Sequence, residues 1–126
     1  MTKAITPIMK AHGKGHIVFI SSTAGYLAYE NGGSYVAAKF ADVALARTLR
    51  LELAGDPIRV SEIAPGMVKT DEFAKNRFKG DSAKAAKVYE GYQPLRPQDI
   101  ADTIYYVCNA PAHVNITNIV IYPTAQ

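Results

Sequence analysis

Several features that mark special classes of protein are scarce in this sequence. Cysteine occurs once in 126 residues, as Cys108. A lone thiol cannot form an internal disulfide, and in the apolar stretch Ile104–Cys108 it reads as a buried structural group in a reducing compartment. No apolar run approaches the roughly eighteen residues of a membrane-spanning helix. The opening residues, Met1 to Pro7, contain a proline and lack the apolar core of a secretion signal. A cytoplasmic location is the resulting expectation, with no membrane partner. Repeats and low-complexity tracts are also missing. The net charge is only +3 and its basic residues are scattered. The densest cluster, Lys75-Asn76-Arg77-Phe78-Lys79, comes without any nucleic-acid-binding motif and reads as a solvated face, so no nucleic-acid partner is expected.

What is present is ordinary for a globular domain: 48% apolar and 20% charged residues, enough for one domain with a hydrophobic core. Residues 2–11 read as a short helix, or the tail of a longer one, ended by His12-Gly13-Lys14-Gly15. The run Ile17-Val18-Phe19-Ile20 within 16–20 suits a strand buried on both faces. Residues 21–33, rich in Ser and Gly, read as loop. Residues 34–53 form a long alanine-rich helix. Its apolar positions, among them Val36, Phe40, Val43, Leu45 and Leu49, cover more than one stripe, which predicts a subunit interface beside the core face. Gly55-Asp56-Pro57 breaks it, a second strand runs from Ile58 to Ile63, and Ala64-Pro65-Gly66 ends that strand. Residues 67–93 are polar and irregular, with room for short helices near 71–76 and 81–89. A stretch of that length inside a compact domain is commonly a lid or binding loop. Residues 97–109 read as a helix with proline at its start and Asp99 in its first turn. A third strand is expected over 116–122. Strands separated by helices predict an α/β architecture with a parallel sheet.

Three short segments carry chemistry. In Tyr35-Val36-Ala37-Ala38-Lys39 the phenol and the ammonium stand four residues apart, on one face of a helix. A free tyrosine, with a pKa of about 10, is a poor acid or base at neutral pH, and a neighbouring cation favours its phenolate. Such a pair can exchange a proton with an alcohol or carbonyl, although alone it equally fits an interface tyrosine beside a surface lysine. Ser21-Ser22-Thr23-Ala24-Gly25 follows a buried strand directly, where open parallel sheets gather their active-site groups. A hydroxyl there can hold a substrate oxygen, or simply cap a turn. Pro65-Gly66-Met67-Val68-Lys69-Thr70 follows the second strand. Its amides and the Thr70 hydroxyl can grip an amide or phosphate, or it is a plain strand-exit turn.

A serine after a buried strand, a tyrosine thirteen residues on, a lysine four beyond it and Pro-Gly after the next strand together resemble the short-chain dehydrogenase/reductase family across essentially the whole chain. The resemblance implies the C-terminal part of a doubly wound parallel-sheet Rossmann fold: residues 1–126 as one incomplete catalytic domain, with 70–93 as the substrate-binding loop region. It assigns Ser22 to polarising the substrate oxygen, Tyr35 to general acid/base work and, beside Lys39, to cofactor binding, and Lys39 to tuning Tyr35 and holding the nicotinamide ribose. Pro65, Gly66, Met67, Val68, Lys69, Thr70, Asp71, Glu72 and Phe73 fall against the nicotinamide end of the cofactor. Thr70-Asp71-Glu72-Phe73, the segment 76–81 and Pro111–Ile116 further resemble the NADP-dependent 3-hydroxy acid dehydrogenases, a branch that also acts on serine and L-allo-threonine. That implies NADP, with NAD as the alternative, a small hydroxy acid or carbonyl substrate held by Ser22, Tyr35 and Arg77, and a homo-oligomer, dimer or tetramer. No metal enters this reading, and His12, His16 and His113 are read as structural.

The departures from the family pattern are equally specific. The glycine-rich turn that seats dinucleotide phosphates at a helix N-terminus is missing, since Gly13-Lys14-Gly15 precedes a strand. So are the Asn-Asn-Ala-Gly segment and the asparagine of the helix before Ser22. The first residues read as the end of that helix. Two function classes follow: an oxidoreductase represented by its catalytic half, or a truncated, inactive remnant serving as a folded or oligomerising module. A small binding protein unrelated to dehydrogenases would require the whole constellation to be coincidence.

Overall fold

The computed structural model describes residues 1–70, 89 and 91–126. Helix α1 spans Thr2–Ala11 and is closed by His12, whose amide donates to Ile8 O. Gly13 then turns the chain at φ +66°, a conformation that suits glycine. Strand β1 follows at Gly15–Ile20. A side chain at Gly15 would lie 2.6 Å from Met9 Sδ, so the glycine lets α1 settle on the start of the strand.

A single 3-10 turn, Thr23–Gly25, leads to helix α2, Gly33–Glu52. Strand β2 is Ile58–Pro65, helix α3 Pro97–Cys108 and strand β3 Asn118–Ile121. The three strands form one parallel sheet in the order β1-β2-β3, so β2 is central. Gly15 stands opposite Ile58 and Ile20 opposite Ile63, while Glu62 to Pro65 align with Asn118 to Ile121. The expected α/β element order and parallel pairing are therefore realised.

The core sits on β2. Ile63 and Ala64 are fully buried, and Val60 and Ile58 pack with Leu53 against Met9, Ile17, Phe19 and Leu49. Val107 and Ile100 bring in α3. Asp99 accepts the Arg96 amide at 2.7 Å and its guanidinium at 2.8 Å, which caps the start of α3 as the proline and acidic first turn predicted.

Two expectations need correction. β1 is not buried on both faces: it has one strand neighbour in the described sheet, its residues are partly exposed, and Ile20 is exposed. Cys108 is exposed rather than buried. On α3 the core position belongs to Val107, and the helical rotation of one residue carries Cys108 away from the sheet. Helix α2 buries Val43 and Ala46, while Phe40, Leu45 and Leu51 stay exposed, so half of its apolar surface faces outward.

Candidate functional site

The carboxyl ends of β1 and β2 open onto a cavity of about 550 Å³, bordered by Ser22, Tyr35, Val68, Thr70, Tyr122 and Gln126. Parallel sheets place ligands at this end because their strand exits diverge there.

Ser22 is the second residue after β1. Its Oγ accepts the Ala24 amide at 3.1 Å and so caps the 3-10 turn, and it reaches Pro65 O only at 3.4 Å. The capping role and a site role thus coexist: one lone pair fixes the hydroxyl, and its proton is weakly committed. Gly25, at the end of this turn, lies hard against α2. A Cβ there would come 2.8 Å from Lys39 O and 2.6 Å from Val43 Cγ2.

Tyr35 occupies the first turn of α2 and borders the cavity, half exposed. One helical turn on, Lys39 Nζ lies 6.0 Å from the Tyr35 ring centroid. It donates to Ile20 O at 3.0 Å and to Asp42 Oδ2 at 3.1 Å. The spacing thus brings phenol and ammonium to one face, and the ammonium is held against the exit of β1. Asp42, which the motif does not contain, shares its charge.

The Pro65–Thr70 segment is more heavily engaged than a plain exposed turn. Gly66 N–H donates to Ile121 O at 2.7 Å, Met67 N–H to Gln126 Oε1 at 2.7 Å and Lys69 N–H to Leu95 O at 2.8 Å. Leu95 N–H returns to Met67 O, so Val68 pairs with Leu95 as an isolated parallel bridge. In such a ladder the amide of Val68 itself points the other way. It has no partner among the described residues. Thr70 borders the cavity. Asp71, Glu72, Phe73 and Arg77, and most of the 70–93 region, lie outside the described residues. Of that region Tyr89 is described, its hydroxyl donating to Val68 O at 3.4 Å.

Sequence reasoning missed a buried carboxylate bonded to Ser21 of the cavity lining. Glu62, 3% exposed, accepts hydrogen bonds from Ser21 Oγ and Tyr26 OH, and from Asn118 Nδ2 at 2.6 Å. Burial pushes the Tyr26 phenol above its ordinary pKa, and the Glu62 hydrogen bond and charge add to that rise. Arg47 lies 5.5 Å from the Tyr26 ring centroid, tying the cluster to α2. The available signal was a single acidic residue inside the apolar strand Ile58–Ile63. Gln126 and Tyr122 were also missed, because nothing in their local sequence marks them. The histidines stand elsewhere: His12 and His113 are exposed, and His16 lies at the opposite end of the sheet.

Comparison with known proteins identifies the family and the fold. The model of the short chain dehydrogenase family matches residues 1–80. An uncharacterised oxidoreductase of Mycobacterium tuberculosis is 47% identical over the whole chain, which covers 50% of that protein. The NADP-dependent 3-hydroxy acid dehydrogenase YdfG of Salmonella typhi is 42% identical, again over the whole chain and 51% of its own length. The closed form of a serine dehydrogenase complexed with NADP+ superposes on the whole chain with a TM-score of 0.96 at 40% identity, over 51% of that structure. The chain therefore spans about half the length of the curated relatives it matches.

Proposed function

Because the chain belongs to the short chain dehydrogenase family, we propose that it carries the catalytic half of an NADP-dependent oxidoreductase interconverting a hydroxyl and a carbonyl on small 3-hydroxy acids or hydroxy amino acids. The observation that carries this reading is that Ser22 and Tyr35 line one cavity, with Lys39 one turn behind the phenol. NADP rests on the relatives named for it. NAD is the alternative.

The residues fit the nicotinamide end of such a cofactor. Val68 N–H, without a partner among the described residues, suits a carboxamide oxygen, and Lys39 is assigned to a ribose hydroxyl. Pro65, Met67, Lys69 and Thr70 complete that surface, and Asp71, Glu72 and Phe73 are assigned to its continuation. Bound there, the cofactor supplies the hydride acceptor or donor. The chain's own residues handle the oxygen and its proton. In oxidation, Tyr35 as phenolate takes the hydroxyl proton. Ser22 donates to the same oxygen and holds it in place as it becomes a carbonyl. The Lys39 ammonium attracts the negative charge on the phenol oxygen. Arg77 is assigned to a substrate carboxylate, where charge-assisted bonds are strong.

A second reading, a folded or self-associating module without turnover, is favoured by one observation. No Gly-x-Gly-x-x-Gly turn leads from a strand into a helix among the described residues, so the family's phosphate cradle is not found there. The exposed Phe40, Leu45 and Leu51 of α2 support association into a dimer or tetramer under either reading. A cytoplasmic location belongs to the same proposal. No helix among the described residues is long and apolar enough to cross a membrane.

An NADPH fluorescence titration, on material whose association state is first read by sedimentation, separates the readings. Saturable binding by a dimer or larger species is expected. Tyr35→Phe should then keep NADPH affinity and lose turnover of 3-hydroxypropionate by at least about 100-fold. Full activity in that variant would overturn the acid/base assignment. An absence of NADPH binding would favour the module.

A further inference from the structure

Gln126 lies 59 positions beyond Met67 and yet is built into the same turn. The segment after β3 folds back through a bond from Gln126 N–H to Pro123 O at 3.1 Å. Its side chain lands on the Pro-Gly corner, with Oε1 accepting Met67 N–H at 2.7 Å. The fit is close: a Cβ on Gly66 would stand 2.5 Å from that oxygen. Gln126 is therefore seated against the corner, where any residue larger than glycine at position 66 would displace it.

That contact also fixes which way the carboxamide faces. A backbone N–H only donates, so the atom facing it must be oxygen. Nε2 is then the outward end, with two donors and no partner among the described residues. It stands at the rim of the cavity that holds Ser22 and Tyr35. Of the same lining, the stretch Leu27, Ala28 and Tyr29 offers one polar atom beyond the backbone, the Tyr29 hydroxyl. Ser22 and Tyr35 serve the reacting oxygen, and Val68 N–H suits the cofactor's carboxamide. The Gln126 donor is left for another oxygen of the substrate.

We propose that Gln126 is a specificity-determining residue: Oε1 fixes the Met67 amide while Nε2 donates to the carboxylate of a 3-hydroxy acid. This rests on the functional reading above and deepens it. A neutral donor gains from an anionic acceptor because the hydrogen bond is charge-assisted, and a carboxylate placed at the same point repels that anion.

Q126E separates the two roles of the side chain, since a carboxylate still accepts Met67 N–H but has no donor to offer. The probes are 3-hydroxypropionate and its uncharged methyl ester, titrated into the full NADPH-bound chain by saturation-transfer NMR. Q126E should weaken 3-hydroxypropionate by about ten-fold or more relative to the ester. NADPH affinity should hold within about two-fold, and Q126A should weaken the acid less than Q126E does, since it adds no repulsion. Equal weakening of both probes, or no change in either, overturns the specificity role while leaving the oxidoreductase reading standing. Loss of NADPH affinity in Q126E assigns the donor to the cofactor and likewise overturns it. A wild-type chain that binds NADPH but neither probe overturns both.

Discussion

At the amino ends of the strands, polar groups are committed to holding the chain together. Arg59 gives its guanidinium to three carbonyls, Ala110 O at 2.9 Å, Cys108 O at 3.0 Å and Val114 O at 3.3 Å. Ser61 Oγ donates to Ile116 O at 2.6 Å, so at 2.7 Å it must accept from His16 Nε2–H. At the carboxyl ends the opposite holds. Val68 N–H and the Gln126 amide nitrogen have no partner among the described residues, and Ser22 keeps only a long bond for its proton. On the sheet itself, Arg59 and Ser61 thus spend their donors on backbone carbonyls at one end, while Val68 N–H and the Gln126 amide nitrogen stand without a described partner at the other. Cationic side chains alone would have pointed to the wrong end. The groove at the amino ends carries Lys14, Arg50 and Arg59, but the Arg59 charge is fastened to carbonyls.

Glu62 lies between the two ends, and its removal is the severest way to test the contrast. Glu62→Ala removes the acceptor shared by buried Ser21, half-buried Tyr26 and exposed Asn118 and should cost about 2 kcal/mol of stability in denaturant unfolding. A loss below about 1 kcal/mol would mean the site end tolerates an unpaired buried Ser21 hydroxyl. Arg59→Met comes next. It keeps the stem and removes three bonds, for an expected loss of about 1–2 kcal/mol, with NADPH affinity unchanged. A large drop in that affinity would erase the division between the ends. The smallest effect is one of pH. Burial, then the Arg59 charge, holds the His16 pKa below its ordinary 6.5. The unfolded chain therefore binds more protons than the folded one near that pH. The stability this confers is complete above about pH 6.5 and fades as pH falls through the folded value. His16→Gln should flatten the dependence of thermal midpoint on pH between about 7.5 and 5.5. An unchanged slope would remove His16 from the locked end.

The locked end was hard to foresee, and the open end was half legible. Ser22, Tyr35 and Lys39 could be placed because short spacings on a strand exit and a helix translate directly into geometry. The element order was readable for the same reason: the apolar run at 17–20, the alternation of Ile58 and Val60 and the punctuation at Gly13, Gly55 and Pro97 are local signals. The partners of Gln126 and Glu62 lie on segments up to 59 residues away, and no local pattern names them, although an acidic residue within β2 marked Glu62 as unusual. Cys108 failed for a subtler reason. An apolar neighbourhood in sequence does not say which helical face a side chain occupies, and there the inward position belonged to Val107.

The contact at Gly25 has a consequence for how this site can diversify. With the 3-10 turn pressed onto Lys39 O and Val43, the hydroxyl of Ser22 is gauged from α2 itself, not from the length of chain between Ser22 and Tyr35. The residues in that interval, Leu27 to Tyr29, line the cavity without setting the distance between the reacting groups. They can change in size and polarity while the hydroxyl and the phenol keep their separation. The architecture thereby uncouples the choice of molecule admitted from the machinery that acts on it.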